Sequence, residues 1–472
     1  MAGIGFELNK LLKRNSFISD IVAIFYSANV SAGPWIMSSI TLFLIQVFIP
    51  QTQVPFLISA LIYTFIFSTI IFGAFSTSVT RFLADLIYKN EVEKIYRLYT
   101  SSLAYSISAS SLFLIFFFLI NRITELPKIL LFSYSMIILT IIWTQIIFIT
   151  AVRKFIPVVV SFLFGSLISF FLTIVLYNYK GEYFAYLGYD LGLMFIASVL
   201  QFYIRKYLYI KTNSREKYLF LAALRSYKKQ AIAGVLTYLA AWVDDFIAWV
   251  YFKYSISKGF VFAPQYDIPM FISYLFIIPT MILFVVNLET DFYTTYRIFY
   301  KSIEDNKKLK YIAISKSNLD ENVRSTTRLI FSVQFVSMII GLVLSKDLAQ
   351  LLLLNDYGLR ALRFGIVGAS SNGIFLYVSL LSYYFDLPDI PLRASIIAFV
   401  INFVVSIFTV TKFPGLGFLV GFTVSVIFSW VAFSRIYSDL LHFEFARNKL
   451  TLSKRGVIIH ENKDEEIQEK EL

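Results

Sequence analysis

Two adjacent acidic residues, Asp244 and Asp245, lie in an apolar stretch of the sequence and are its clearest candidates for chemistry. At helical spacing Asp245 shares a face with three aromatic residues, Tyr238, Trp242 and Trp249. A charged side chain inside a membrane is costly, so it normally faces a water-filled cavity or a partner. The pattern is typical of a transport site. It also fits an acidic pair at a water-exposed helix end, beside an interfacial belt of aromatic residues.

Proline and glycine interrupt two other apolar stretches. Gly33-Pro34-Trp35 breaks the first stretch near its middle, and Tyr274 lies between two prolines in a later one. Proline removes a helix hydrogen bond, so the freed carbonyl group needs another partner. Broken helices often mark transport sites, but a packed structural kink has the same signature. Gly33, Pro34, Trp35 and Tyr274 are therefore further candidates for a transport path.

A second set of charged residues lies where apolar stretches meet basic loops. Glu289 and Asp291 follow one stretch directly, and Arg297 comes two helical turns after Glu289. These residues form either an acidic helix end compensated by Arg297 or a gate or docking site on the cytosolic side. Arg81 and Asp85, at the start of an earlier loop, are candidates for the same role.

Asn372 and Asn402 lie centrally in two later apolar stretches. In a membrane such residues more often form hydrogen bonds between helices than bind ligands. We therefore predict a structural role for both.

The composition excludes several classes of enzyme. The chain has no Cys, which rules out disulfides, iron–sulfur clusters and Cys nucleophiles. Its two His residues, His442 and His460, both lie near the C terminus, and no Walker A motif is present. We expect no catalytic residues, no metal site and no cofactor.

The same composition predicts an integral membrane protein. Of the 472 residues, 58% are apolar and only 15% are charged, against roughly 25% charged in a soluble domain. Twelve apolar stretches approach the roughly 20 residues that a membrane span requires, and the ninth and twelfth are short and expected to extend. The predicted fold is an all-α polytopic membrane protein with about twelve transmembrane helices in two six-helix bundles. The predicted spans are Ile21–Ile49, Val54–Phe75, Ser101–Ile120, Ile129–Ile149, Phe155–Tyr177, Tyr186–Tyr203, Ala231–Tyr251, Ile268–Val286, Leu329–Leu344, Phe364–Tyr384, Leu392–Val410 and Leu416–Val431.

The basic residues predict the orientation of the chain. If the N terminus is cytosolic, 33 of the 42 Lys and Arg residues fall on cytosolic segments and 9 fall outside. This bias predicts that both termini are cytosolic. The net charge of +12 is therefore an orientation signal, and we expect no nucleic-acid partner.

The lengths of the connecting loops repeat after the sixth span, which predicts two bundles in the same orientation. We expect an interfacial helix at 1–20, bundles at 21–203 and 231–437, a basic cytosolic linker at 204–230 and a cytosolic tail at 438–472.

Several short motifs resemble the inner-membrane transporter family of the Pel exopolysaccharide system. They cover residues 1 to about 300, and the most specific is the run from Val285 to Tyr293, which continues to Tyr296-Arg297. The chain departs from the family pattern at Asp245, where a basic residue is common. The other matching segments are Met1–Glu7, Ser31–Trp35, Thr80–Asp85, Trp242–Asp244 and Asp267–Phe271.

This resemblance implies a twelve-helix fold like that of the multidrug/oligosaccharidyl-lipid/polysaccharide flippase superfamily. It implies that the chain moves a growing polymer rich in N-acetylgalactosamine across the plasma membrane and is not an enzyme. The implied partners are a cytosolic glycosyltransferase and membrane scaffold subunits, one of which is a cyclic di-GMP receptor. The alternative is an ion-coupled flippase or antiporter of the same fold that moves small molecules or lipid-linked oligosaccharides.

Overall fold

The structure, a computed structural model, describes residues 41, 44–45, 47–49, 53–151, 156–209, 218–252, 255–257, 259–287, 292–447, 450–452 and 458–460. In this part of the chain, eleven helices are long and apolar enough to cross a membrane. They correspond in order to the second to twelfth predicted spans, which confirms an all-α polytopic membrane protein. The predicted interfacial helix and nearly all of the first predicted span, with its Gly33-Pro34-Trp35 break, lie outside the described residues.

Five of the membrane-spanning helices occupy the first part of the described chain. Their apolar sequences favour helices because every backbone polar group in a membrane must bond within its own segment. Helix α3 exposes Leu112, Ile115, Phe116 and Leu119 on one face, as expected for contact with lipid. The helices of this part are α1 (Pro55–Gly73), the short α2 (Ser76–Tyr88), α3 (Ile95–Asn121), α4 (Leu126–Ala151), α5 (Ile156–Lys180) and α6 (Glu182–Leu208).

The remaining helices follow a short helix α7 (Leu219–Ser226) inside the predicted linker. Between α8 and α9 the chain forms an antiparallel hairpin of strands β1 (Ser255–Ser257) and β2 (Phe260–Val261). A turn of 3₁₀-helix (Tyr274–Ile277) separates α9 from α10 in the span predicted to contain two prolines. The helices are α8 (Lys228–Phe252), α9 (Pro264–Ser273), α10 (Ile278–Asn287), α11 (Tyr293–Glu304), α12 (Leu309–Leu351), α13 (Asp356–Tyr384), α14 (Asp389–Thr409), α15 (Leu416–Ser438) and α16 (Leu440–Arg447).

Helix α12 is much longer than a membrane requires, with 43 residues. Its exposed face carries polar and basic residues such as Lys310 and Arg324 in its first half, then apolar residues such as Leu329, Phe335 and Val343. The polar half is roughly 30 Å long by the rise of a helix. It packs with α11 and α16 around a separate apolar core that contains Phe299, so this end of α12 extends beyond the apolar zone.

The helices pack as two groups. In the first group, α5 lies against α6, and α4 contacts α1, α3 and α6. In the second group, α14 and α15 pack together, with α8 against α14 and α13 against α9, α12 and α15. We call α1–α6 the first group and α8–α15 the second group. This grouping resembles the predicted two-bundle plan, whose boundaries stay a prediction.

Beyond α16 the described residues form a small antiparallel hairpin of β3 (Leu450–Leu452) and β4 (Ile458–His460). The cytosolic placement of this tail stays a prediction, because it depends on the distribution of Lys and Arg alone.

Candidate transport site

Helices α1 and α8 run side by side and join the two groups along most of their lengths. The closest approach is at Gly73 and Gly234, where a Cβ atom on Gly234 would lie 2.1 Å from the carbonyl oxygen of Gly73. Glycine is required at this crossing because any side chain would overlap with the backbone of the facing helix. The seam between α1 and α8 is therefore a close contact between the two groups.

Asp244 lies on α8 and faces the second group. It is fully buried, and its Oδ2 accepts a hydrogen bond of 2.6 Å from the Tyr266 hydroxyl. The Asn402 amide, on α14, donates to Oδ1 at 2.9 Å and to the Ala240 carbonyl oxygen at 2.8 Å. Asn402 thus forms a hydrogen bond between helices, as predicted from sequence. These bonds hold the Asp244 carboxyl in one orientation.

Asp245 points elsewhere and meets a third buried acid, Asp267 on α9. The two carboxyl groups lie next to each other, and each side chain is only 2% exposed. Within the described residues, Asp245 Oδ2 has no hydrogen-bond donor. Two ionised carboxylates cannot donate to each other, so a bound proton or another cationic group between them would stabilise the pair. The predicted acidic pair is therefore split, with Asp244 held by neutral donors and Asp245 beside Asp267.

Asp267 also organises the aromatic residues around it. Both of its carboxyl oxygens accept from the Trp249 indole nitrogen, at 3.1 and 2.9 Å. The Trp249 ring stacks on Tyr63 of the first group, with centroids 4.4 Å apart and planes inclined by 7°. Trp249 therefore joins the acids to the seam between the groups.

The other aromatic candidates lie along the same seam. Tyr238 is half-buried and contacts Phe72 of α1, and Trp242 contacts Phe65 of α1. The Tyr274 ring lies 5.4 Å from Trp242, and its hydroxyl donates to the Ala241 carbonyl oxygen at 3.0 Å. The Trp242 indole nitrogen has no acceptor among the described residues, although the side chain is only 5% exposed. The structure thus brings together Tyr238, Trp242, Asp244, Asp245, Trp249 and Tyr274.

Sequence reasoning missed two buried acids. Asp267 belongs to one of the motifs above but lies just before its predicted span, so its burial was not foreseen. Asp190 lies inside the sixth predicted span and is fully buried, with the Ser135 hydroxyl donating to Oδ1 at 2.5 Å. An acid inside an apolar stretch is by itself a signal for function, and this signal could have identified Asp190.

The charged candidates at the other end of the seam form a separate cluster. Arg81 of α2 pairs with Asp386, which lies between α13 and α14, at 3.8 Å. Asp85 accepts a hydrogen bond from the Tyr227 hydroxyl. Burial first, and then the hydrogen bond to Asp85, raise the pKa of Tyr227 to about 12, so this hydroxyl keeps its proton at neutral pH. A small cavity beside the pair is lined by Thr77, Arg81, Gln230, Tyr383, Asp386 and Pro388.

Reversing the charge of Arg81 is expected to lower transport, and a second reversal is expected to restore it. Arg81→Asp places two acids together between the groups, whereas Arg81→Asp with Asp386→Arg restores attraction. The side chains are 40% and 39% exposed, so the change in unfolding free energy should not exceed about 1 kcal/mol. Transport activity and thermal unfolding, measured on the single and double variants, check this expectation.

The matched control is Lys229→Asp, because Lys229 pairs with Asp389 at 2.8 Å inside the second group. This variant should change transport much less. Equal effects of the two reversals, or no rescue by the double variant, would contradict a role of Arg81 between the groups.

Three other charged candidates contribute little to this picture. Glu289 and Asp291 lie outside the described residues, and so their predicted pairing with Arg297 stays a prediction. Arg297 is on α11 and is exposed. It lies in the short helix that packs with the extended end of α12.

The fold is that of the MATE transporters, and together with the eleven membrane-spanning helices it defines the class as a multi-pass membrane protein. The chain is similar to a MATE structure in the straight conformation, with a TM-score of 0.62 and 13% identity over 89% of this chain and 97% of that one. It is similar to VcmN, a MATE transporter of Vibrio cholerae, with a TM-score of 0.60 and 12% identity over 89% and 99%. An inward-facing multidrug resistance MATE transporter of the MOP superfamily gives a TM-score of 0.56 and 13% identity over 89% and 96%.

The sequence then defines the family. Residues 1–445 match the family described as "PelG: Putative exopolysaccharide Exporter (EPS-E)", and the chain belongs to this family. A search of curated protein sequences found no match. The resemblance drawn from the short motifs is thereby confirmed.

Proposed function

We propose that this chain moves a growing exopolysaccharide across the plasma membrane, as the membrane subunit of a synthase–export complex. Membership of the exopolysaccharide exporter family supports the substrate class, and the MATE-like fold supports transport. The polymer is of the Pel type, rich in N-acetylgalactosamine. Both termini are cytosolic, in accordance with the excess of Lys and Arg on the cytosolic segments.

The observation that carries this proposal is the line of aromatic rings between the two groups. Phe72, Phe65 and Tyr63 of α1 face Tyr238, Trp242 and Trp249 of α8 in that order. Aromatic faces pack against the apolar faces of sugar rings, and a few polar groups fix the orientation of a ligand. When the two groups separate, the seam becomes a groove lined by rings on both sides.

Two polar atoms on this seam are available for a sugar. The Trp242 indole nitrogen is a donor without an acceptor, and Asp245 Oδ2 is an acceptor without a donor, within the described residues. Buried polar groups in native proteins are nearly always hydrogen-bonded, so these two atoms need a ligand, an ion or an ordered water as partner, and we assign that place to the sugar. Hydroxyl and acetamido groups of an amino-sugar polymer supply both the acceptor and the donor.

The extended end of α12 is the proposed site for the cytosolic partners. It projects with α11 beyond the apolar zone and carries exposed polar and basic residues. A cytosolic glycosyltransferase bound here would deliver polymer close to the seam, and scaffold subunits, including a cyclic di-GMP receptor, would hold the assembly together. Glycosyl transfer is then the task of the partner, and this chain has no catalytic role.

Substitution of Trp242 tests the proposed function. Trp242→Ala should lower polymer export about tenfold or more while the protein stays in the membrane. The variant loses the contact of the Trp242 ring with the polymer, and each 1.4 kcal/mol of lost binding free energy lowers affinity by about a factor of ten. Trp242→Phe keeps a ring but removes the indole nitrogen, so export should be intermediate. The measurement is polymer released by a strain that carries each variant as its only copy.

The control is Trp430→Ala, since Trp430 packs against Phe331 and Phe433, away from the seam. Its export should stay near that of the unchanged protein. Normal export by Trp242→Ala at normal protein level would remove this residue from the path.

The contact between Asp245 and Asp267 favours a second candidate, an ion-coupled flippase or antiporter. Two adjacent buried carboxyl groups can exchange a proton or a monovalent cation, and the similar structures include a MATE transporter in complex with Rb⁺. The purified chain in vesicles would then move cations or small molecules without any partner. Inert vesicles would contradict this candidate.

A further inference from the structure

The segment after α8 crosses from the second group into the first. Residues 259–263, which include strand β2, begin within the β1–β2 turn and end at α9. Phe260 is fully buried among aromatic residues of α1, α3 and α4. Its ring centroid lies 5.3 Å from that of Phe56, 5.4 Å from those of Tyr63 and Phe117, and 5.1 Å from that of Phe132.

Backbone hydrogen bonds set the depth of this insertion. The Tyr63 hydroxyl donates to the Val261 carbonyl oxygen at 3.0 Å and accepts from the Val261 amide at 3.1 Å. Gly259 has a φ of +85° and lies so close to α3 that a Cβ atom would be 2.6 Å from Ile123 Cδ1. Glycine is required there both by the left-handed backbone and by the contact. The sequence thus provides both the glycine and the Phe260 ring that fit the aromatic pocket formed by α1, α3 and α4.

The other end of the segment is tied to the acids of the second group. The Ala263 amide donates to Asp267 Oδ2 at 2.8 Å, and the Trp249 indole nitrogen donates to the same oxygen at 2.9 Å. Because Trp249 stacks on Tyr63, the partner of Val261, one set of contacts connects Asp267 with the inserted segment.

The insertion lies at the end of the seam opposite to the Arg81–Asp386 pair. Tyr63 and Gly73 are about 15 Å apart along α1, and Gly234 and Trp249 are about 22 Å apart along α8, by the rise of a helix. Gly73 and Gly234 meet near the end of α1 that leads to α2 and Arg81. The seam is therefore closed at two separate places, by different contacts.

We propose that residues 259–263 form a latch that closes one end of the transport path, with Phe260 as the side chain that must leave its pocket before cargo is released. The latch belongs by chain connectivity to the second group and docks into the first, so separation of the two groups at this end withdraws Phe260. A two-stranded hairpin is at best marginally stable alone, and the register of this one is irregular, so its position depends on docking. In the predicted orientation this is the outer end. The inference rests on the proposed function.

A disulfide that holds the latch closed tests the proposal. The chain has no Cys, so no native thiol can react in place of an introduced pair. A Cβ atom on Gly259 would lie 2.8 Å from Asn121 Cβ at the end of α3, and a disulfide needs a separation of about 3.5–4.5 Å, which a small outward shift provides. Oxidised Asn121→Cys/Gly259→Cys should lose polymer export, and reduction should restore it. Export that continues after complete crosslinking would overturn the latch.

Three controls separate the latch from trivial effects. The single variants Asn121→Cys and Gly259→Cys should not respond to oxidation. The pair Ser110→Cys/Thr140→Cys, whose hydroxyl oxygens are 3.0 Å apart inside the first group, should crosslink without loss of export. If Gly259→Cys alone prevents export through backbone strain, Phe132→Cys/Phe260→Cys joined by a short bis-methanethiosulfonate replaces it, because this reagent links the two thiols through disulfides that reduction cleaves, with the same two outcomes.

The proposed function and the latch fail in different ways. If a strain without this chain exports polymer normally, the proposed function is wrong. The latch is then decided on purified protein that also carries Phe65→Cys, with labelling of residue 65 by a thiol reagent measured by mass spectrometry. The reduced protein should be labelled at this position and the oxidised protein should not, and equal labelling of the two forms would overturn the latch.

Discussion

Asp244→Ala is expected to abolish export and to lower the free energy of unfolding by about 2–4 kcal/mol, since each buried donor left without an acceptor costs roughly 1–3 kcal/mol. The alanine removes the acceptor for both the Tyr266 hydroxyl and the Asn402 amide, and neither donor reaches water because the site is fully buried. Asp244 lies between the aromatic seam and the core of the second group, so the loss of its carboxyl group also disturbs the packing of α8. Thermal unfolding of the purified variant and polymer export by cells check the two effects.

Asp244→Asn tests whether the hydrogen bonds that Asp244 accepts or its negative charge is required. The amide keeps one acceptor oxygen and replaces the other with a donor, so one of the two hydrogen bonds should persist and the loss of stability should be smaller. The matched control is Asp347→Asn, because Asp347 is exposed near the end of α12. Wild-type stability and export in Asp244→Ala would show that the buried carboxyl has neither role.

Gly234→Leu is expected to separate α1 from α8 and to abolish export. The first added carbon would already lie 2.1 Å from the Gly73 carbonyl oxygen, and a backbone atom in a packed helix cannot move aside as a flexible side chain can. Overpacking of this kind costs about 1–3 kcal/mol or more. Gly234→Ala should therefore already lower the unfolding temperature, and Gly234→Leu should lower it further.

The control for this series is Ile232→Leu on the same helix, since Ile232 is 52% exposed and does not face α1. Its unfolding temperature and export should match those of the unchanged protein. If Gly234→Leu is equally well tolerated, the close crossing at Gly73 is not required for the two groups to meet.

The membrane spans were predictable from sequence because their signal is local. A run of apolar residues long enough to cross a bilayer is visible without knowledge of its neighbours, and eleven predicted spans were confirmed in order. The break between α9 and α10 was visible in the same way, through the prolines around Tyr274. The interhelical role of Asn402 was also predictable, because a lone amide in an apolar helix has few other partners.

The different contacts of Asp244 and Asp245 were not predictable. Helical spacing placed Asp245 on the aromatic face, but it could not show that Asp267 meets Asp245 or that Tyr266 and Asn402 bind Asp244. Asn402 is 158 positions away from Asp244 in the chain. The proposed latch was not predictable for the same reason. Phe260 is one of 50 phenylalanines, and nothing distinguishes it until the aromatic residues of the first group that surround it are brought together by folding.

The sequence by itself determined that this is a polytopic membrane protein, where the eleven confirmed spans lie and to which family it belongs, since composition, span length and short motifs are properties of the chain alone. Only the tertiary structure decided which acids are paired, which rings face each other across α1 and α8, and where the two groups are closed. The physical reason lies in the helices themselves. A membrane helix that is apolar nearly all round does not record in its sequence which face meets a neighbour and which meets lipid, so the rotation of each helix, and with it every contact between helices, is set only when the whole bundle packs.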